Sequence, residues 1–227
     1  MTNKLMTGLL ALVALAALAL PAVASASPEL GETTETNVWE KIVPPALIQA
    51  TSLEVSKMTS PGGTTLTECD TAVMTGDLFE NSGTSVKGNI TSAAFHNAGG
   101  ADCTALFGGT AKVTTNVGNG VPWCVQTTKT ADQVEIRGGK CSEAARSITF
   151  VLDTSSFGEC KYNSTTFPTG TFTTDTSPEH KDAVVTVTKS GLWTRESGSS
   201  VFCPAEANLD MKFTLETDNT NIPLYIR

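Results

Sequence analysis

The sequence predicts an all-β protein, an antiparallel β-sandwich of immunoglobulin-like or jelly-roll-like form held by three disulfides. Three observations lead there. From Ala46 on, short runs rich in β-branched and aromatic residues alternate with polar ones, as half-buried strands do. They include "SLEVSKM", "AVMTGDLF", "SVKGNITSAAF", "AKVTTNV", "QVEIR", "SITFVLD", "AVVTVT", "GLWTR" and "NLDMKFTLET". Clusters of turn residues, "SPGG", "ENSG", "NAGGAD", "VGNG" and "SGSS", separate these runs at short intervals. Finally, six cysteines in a chain that opens with an export signal read as a disulfide framework.

The signal comes first in the chain. Met1 to Lys4 carries one positive charge, Leu5 to Leu20 is apolar, Pro21 breaks the run, and "AVASAS" supplies small residues at alternate positions. This order is that of a secretory signal peptide. Its apolar core is shorter than the roughly 20 residues of a spanning helix. Residues 1–26 are therefore expected to be removed by a cut after Ala26, or after Ala24, leaving a secreted, extracellular chain without a membrane span. Residues 27–45, "SPELGETTETNVWEKIVPP", carry four glutamates and end on Pro-Pro. That composition predicts an acidic, flexible arm, with Trp39, Ile42 and Val43 able to dock on the domain. Residues 46–227 then form one β-sandwich domain. Threonine, roughly one residue in six, suits the wet face of its strands. On the buried faces we expect Leu53 and Val55, Val184 and Thr186, and Met211, Phe213 and Leu215.

The cysteines are Cys69, Cys103, Cys124, Cys141, Cys160 and Cys203. No pair has the close C-x2-C spacing of a zinc site, so bridges are expected. Sequential strands usually lie side by side, which favours the nearest-neighbour pairs Cys69–Cys103, Cys124–Cys141 and Cys160–Cys203.

Charge narrows the function classes. The net charge of −8 becomes −9 once Lys4 leaves with the signal, and a field of that sign repels nucleic acid and anionic membranes. Catalytic signals are sparse. His96 and His180 sit in polar turns without ligand spacing, and no G-x-S-x-G elbow is present. Carboxylates that could form an acid–base pair are Asp70, Asp77, Glu80, Glu135, Asp153, Glu159 and Asp210, in contexts typical of solvated strand faces. Glu216 to Asn221 is an oxygen-rich turn that could hold a hard cation through Asp218, although a plain turn explains it. No cofactor is expected. Asn89 and Asn163 begin N-x-T and N-x-S/T sequons, a pattern frequent by chance in a threonine-rich chain.

Aromatic residues leave two readings open. Trp123, Trp193 and Tyr162 could line a sugar-stacking face, or they could be core residues packed beside disulfides. Trp123 precedes Cys124 directly, so the two side chains point to opposite faces of a strand. If Cys124 faces inward, Trp123 faces outward.

The segments "LTECDTAVMTGDL", "TSAAFHNAGGADC", "VPWC", "ECKY" and "FCP" resemble a group of secreted proteins from high-GC Gram-positive bacteria that have no assigned activity. The resemblance covers about Ala46 to Ile226. It implies an exported all-β domain and supports the Cys69–Cys103 and Cys160–Cys203 pairings. Together these readings predict a non-catalytic extracellular binding or envelope-associated protein, with an extracellular protein or glycan as partner. A carbohydrate-binding module and a secreted hydrolase with carboxylate catalysis are the alternatives.

Overall fold

The computed structural model describes residues 29–33, 39–128, 133–164, 168–174, 183–217 and 224–226. The signal segment, His180 and the 218–221 turn lie outside the described residues. In chain order the strands are β1 (Leu30–Thr33), β2 (Trp39–Lys41), β3 (Ala46–Ser52), β4 (Ser56–Thr59), β5 (Thr65–Cys69) and β6 (Thr71–Ser82). Next come β7 (Ser85–His96), β8 (Cys103–Ala105), β9 (Thr110–Thr115), β10 (Trp123–Thr127), β11 (Gln133–Gly138) and β12 (Thr149–Thr154). The last are β13 (Gly158–Ser164), β14 (Thr169–Thr174), β15 (Ala183–Arg195), β16 (Glu206–Thr217) and β17 (Leu224–Ile226).

The protein is all-β, but its main sheet is a closed barrel where the sequence suggested a sandwich. Strands β3, β6, β7, β10, β11, β14, β15 and β16 pair in that order, all antiparallel, and β16 returns to β3. Alternating residues say only that each strand has one buried face, which holds for both architectures. Closure depends on long-range pairing instead, here β16 with β3 from opposite ends of the domain, and β7 with β10.

The long strands β15 and β16 also carry a second circuit. Beyond the barrel, β16 pairs with β4 and β15 with β13, and β5, β8, β9 and β12 join those two strands. Met58, Leu66, Leu152 and Tyr162 are fully buried in this part. The disulfides join Cys69 to Cys103, Cys124 to Cys141 and Cys160 to Cys203, the three nearest-neighbour pairs.

Two stretches of the 27–45 arm, Leu30–Thr33 and Trp39–Lys41, are strands of a small sheet. Strand β1 pairs with β2 and with β17. A buried side chain at the end of β6 ties this small sheet to the barrel. Asn81 accepts a hydrogen bond from the Leu30 amide (3.0 Å) and donates from Nδ2 to the carbonyls of Leu30 (2.7 Å) and Ile42 (2.9 Å). All four hydrogen-bonding groups are backbone or amide and lie out of water, so each needs such a partner.

Two of the expected core faces need correction. Leu53 falls in the turn between β3 and β4 and is half exposed. In "AVVTVT" Val185 and Val187 face the barrel interior, whereas Thr186 lies on the other face with Val184, which is buried there. A run of adjacent valines fits either parity, and a one-residue slip exchanges the faces. Met211, Phe213 and Leu215 are buried as expected.

Candidate ligand-binding site

Alternate residues of the eight barrel strands point inward and line a partly open cavity of about 120 Å³. Its wall comes from Ile48 and Ala50 of β3, Met74, Gly76 and Leu78 of β6, Val86, Gly88 and Ile90 of β7, and Trp123 and Val125 of β10. Val134 and Ile136 of β11, Phe172 of β14, Val185, Val187 and Trp193 of β15, and Leu209, Met211, Phe213 and Leu215 of β16 complete it. Leu30 of the small sheet reaches the cavity from the Asn81 end of the barrel. Ile148 and Phe150 close it where the second circuit begins. There the Phe150 ring lies 5.0 Å from Trp193, edge-on, 5.8 Å from Trp123 and 5.5 Å from Phe95.

Three neighbouring strands place small residues on the inner face, Ala50, Gly76 and Gly88; at the two glycines a Cβ would meet the backbone of the paired strand, so their bareness lets β6 and β7 approach closely. Eight strands make a barrel just wide enough for side chains to fill or for one small ligand to occupy. Outside, the same strands carry Gln49, Thr51, Glu135, Lys212 and Glu216, with Gln49 donating to Glu216 across β3 and β16 at 2.7 Å. This polar-out, apolar-in wall is the reverse of a membrane barrel. Among the described residues no helix is long and apolar enough to cross a membrane.

Trp123 and Cys124 do face opposite sides, and it is Trp123 that turns inward. Trp123 points into the barrel and is 2 % exposed. Cys124 points outward and is nonetheless buried, because the 138–148 segment folds over it. Cys141 bridges to it, and the Cys141 amide donates to Asn89 Oδ1 at 3.2 Å. Asn116 holds Trp123 by accepting its indole N–H at 2.7 Å. Asn116 also accepts from the Thr149 amide (3.2 Å) and donates to the Ser147 carbonyl (3.0 Å).

Trp193 is buried on the cavity wall as well. Tyr162 is not part of the cavity. It is sealed within the second circuit and donates its hydroxyl to the Pro204 carbonyl at 3.2 Å. None of the three rings offers a face to solvent, and the structure brings only the two tryptophans together. Burial pushes the Tyr162 phenol up to about 12, against a smaller downward pull from the Arg195 charge. The folded state thus favours the neutral phenol. This stabilisation is complete below the unfolded value of about 10 and is lost as pH rises towards about 12. Alkaline titration followed by circular dichroism should show unfolding in that window. In Tyr162→Phe the alkaline loss should shrink, at the expense of about 1 kcal/mol at neutral pH for the lost hydrogen bond. An unchanged alkaline transition in the variant would contradict this assignment.

The polar candidates are dispersed. Glu80 pairs with Lys87 (2.7 Å) and Glu159 with Lys161 (2.9 Å). The Lys87 hydrogen bond holds the Glu80 carboxyl below its ordinary value, the opposite of the shift a general acid needs. Asp77 accepts from Asn89 Nδ2 at 3.2 Å and Glu135 from Gln126 at 3.3 Å. Asp70 accepts from the Ala98 amide (3.2 Å), and Asp153 and Asp210 are exposed. His96 contacts the Asn97 carbonyl at 3.0 Å. Among the described residues no three His, Cys, Asp or Glu side chains are placed to hold a metal ion. Both sequon asparagines are engaged, Asn89 as above and Asn163 with Thr149 and Glu196.

Sequence reading missed the cavity itself. The available signal was small residues at inward positions, and it becomes readable only once β3, β6 and β7 are known to be neighbours. No protein-family model, no curated protein and no solved structure matches this chain.

Proposed function

We propose that this chain is an exported, non-catalytic binding protein whose barrel takes up one small apolar molecule. The observation that carries this reading is the cavity of about 120 Å³, lined almost wholly by hydrocarbon and aromatic side chains. A hole of comparable size, about 150 Å³, engineered into another protein stays dry and binds benzene. Concave, mostly apolar sites are where small ligands usually bind. Met74 and Met211 on the wall can adapt their shape to a guest. Secretion fits the signal-like residues 1–26 and the three disulfides, which persist in oxidising compartments.

The test is thermal unfolding of the oxidised protein with benzene, cyclohexane or indole, in parallel with Ala50→Leu. Ala50 lines the cavity, so leucine there fills part of the space a guest needs. A ligand present at 100 times its Kd should stabilise the native protein by about 2.7 kcal/mol. Ala50→Leu should fold and lose most of that response. Equal responses in the two proteins, or none from any of the compounds, would remove the cavity as a binding site.

A further inference from the structure

We infer that Leu30 sets the length of the guest: the barrel takes an aromatic ring carrying a short alkyl chain, and Leu30 stops the free end of that chain. This inference rests on the barrel cavity being a ligand site.

The two ends of the cavity differ in chemistry. At one end Trp123 lies opposite Ile90 of β7, with the Phe150 ring 5.8 Å from the indole. At the other end Val86 of β7 lies opposite Asn81, and the lining there is aliphatic, from Val86, Leu78 and Leu30. Val86 and Ile90 are four positions apart, about 13 Å along an extended strand. Between them β7 presents only Gly88 to the interior. A guest lying along β7 therefore meets aromatic rings at one end and aliphatic side chains at the other. A ring gains geometry-specific contacts from the first, and a hydrocarbon chain loses its water against the second.

The ends also differ in how firmly they are built. Phe150 belongs to β12, which pairs on one side with β9 and on the other with β13. Its ring is packed against Trp123, Trp193 and Phe95. Each strand of the barrel wall is likewise paired on both sides. Leu30 comes from outside that wall, on a strand of four residues whose partners β2 and β17 have three each. It is the only leucine, isoleucine, valine, methionine or aromatic residue between Ser27 and Asn37, yet it is 3 % exposed. Asn81 takes up its amide and its carbonyl, so an apolar side chain is what it brings to the cavity. Shortening that side chain moves one end of the site and leaves every wall strand as it was.

Benzene, toluene, ethylbenzene, propylbenzene and butylbenzene test this, with affinities read by calorimetry. Each methylene that finds room inside should tighten binding about fourfold, and the gain should end where the chain meets Leu30. In Leu30→Ala that end point should move to a longer chain by roughly two or three carbons, the length an isobutyl group gives up on becoming methyl. Affinity for benzene itself should stay close to that of the unaltered protein. In unaltered protein with labelled leucine methyl groups, the terminal methyl of the longest bound chain should give nuclear Overhauser effects to Leu30, and the ring protons to Trp123. Should Leu30→Ala fail to fold, that measurement decides alone. If the series binds but ends at the same length in both proteins, or if the chain end lies against Trp123, the Leu30 assignment is overturned and the cavity reading stands. Binding of no member of the series overturns both.

Discussion

Gly76→Ala is expected to destabilise the protein by on the order of 3 kcal/mol or more, at the upper end of what overpacking costs. A Cβ at Gly76 would lie 2.0 Å from the Asn89 carbonyl oxygen and 2.9 Å from the Ile90 Cα. Both are backbone atoms of β7, so no side chain can rotate away. The hairpin of β6 and β7 shifts register between Thr75 and Gly76. Its strands approach so closely there because the sheet must curl to close the barrel. Relief would require spreading the hairpin, and with it the wall of the cavity. Gly62→Ala is the control, since its Cβ would meet only Ser60 Oγ at 3.8 Å. Urea unfolding should place the Gly76→Ala midpoint far below that of Gly62→Ala. Equal midpoints would mean that the hairpin is not this tight.

Removing the Cys160–Cys203 bridge by a double change to alanine should cost about 4 kcal/mol in the chain-entropy picture. The sequence separation is 43, the longest of the three loops, compared with 17 for Cys124–Cys141. The bridge ties β13 to the loop between β15 and β16, next to the Tyr162–Pro204 hydrogen bond. Its loss therefore frees the strands that the two circuits share. For a domain of this size the melting temperature should drop by roughly 10 °C. The Cys124/Cys141 double variant should drop less, by about 3 kcal/mol. Calorimetry that ranks the two variants in the opposite order would contradict this account.

Strand content, the bridge pattern and the inner face of β16 were readable in the sequence, because they depend on local alternation and on neighbours in the chain. The Met211, Phe213 and Leu215 series has an unbroken period of two and admits one reading. "AVVTVT" does not, since Val184 and Val185 satisfy either parity. Trp123 and Cys124 were correctly placed on opposite faces. Which face was the inside depended on the 138–148 segment covering Cys124, and strand periodicity carries no trace of that segment. Closure into a barrel was equally hidden. It rests on pairs such as Leu215 with Ala50 and Trp123 with Ile90, far apart in the chain. The cavity follows from closure, because Ala50, Gly76 and Gly88 mean nothing together until their strands are side by side. The docked strand β1 was masked by its acidic composition. Its anchor, Asn81, looked like an ordinary turn residue in "ENSG".

The claim at the centre of this account is that the barrel interior receives an apolar guest. Intermolecular nuclear Overhauser effects test it most directly, using cyclohexane and methyl-labelled methionine. Met74 and Met211 lie on the cavity wall, whereas Met58 is fully buried in the second circuit. The account predicts cross-peaks from cyclohexane to the Met74 and Met211 methyl groups and none to Met58. Cross-peaks that fall on surface residues alone, or that do not distinguish the three methionines, would contradict it.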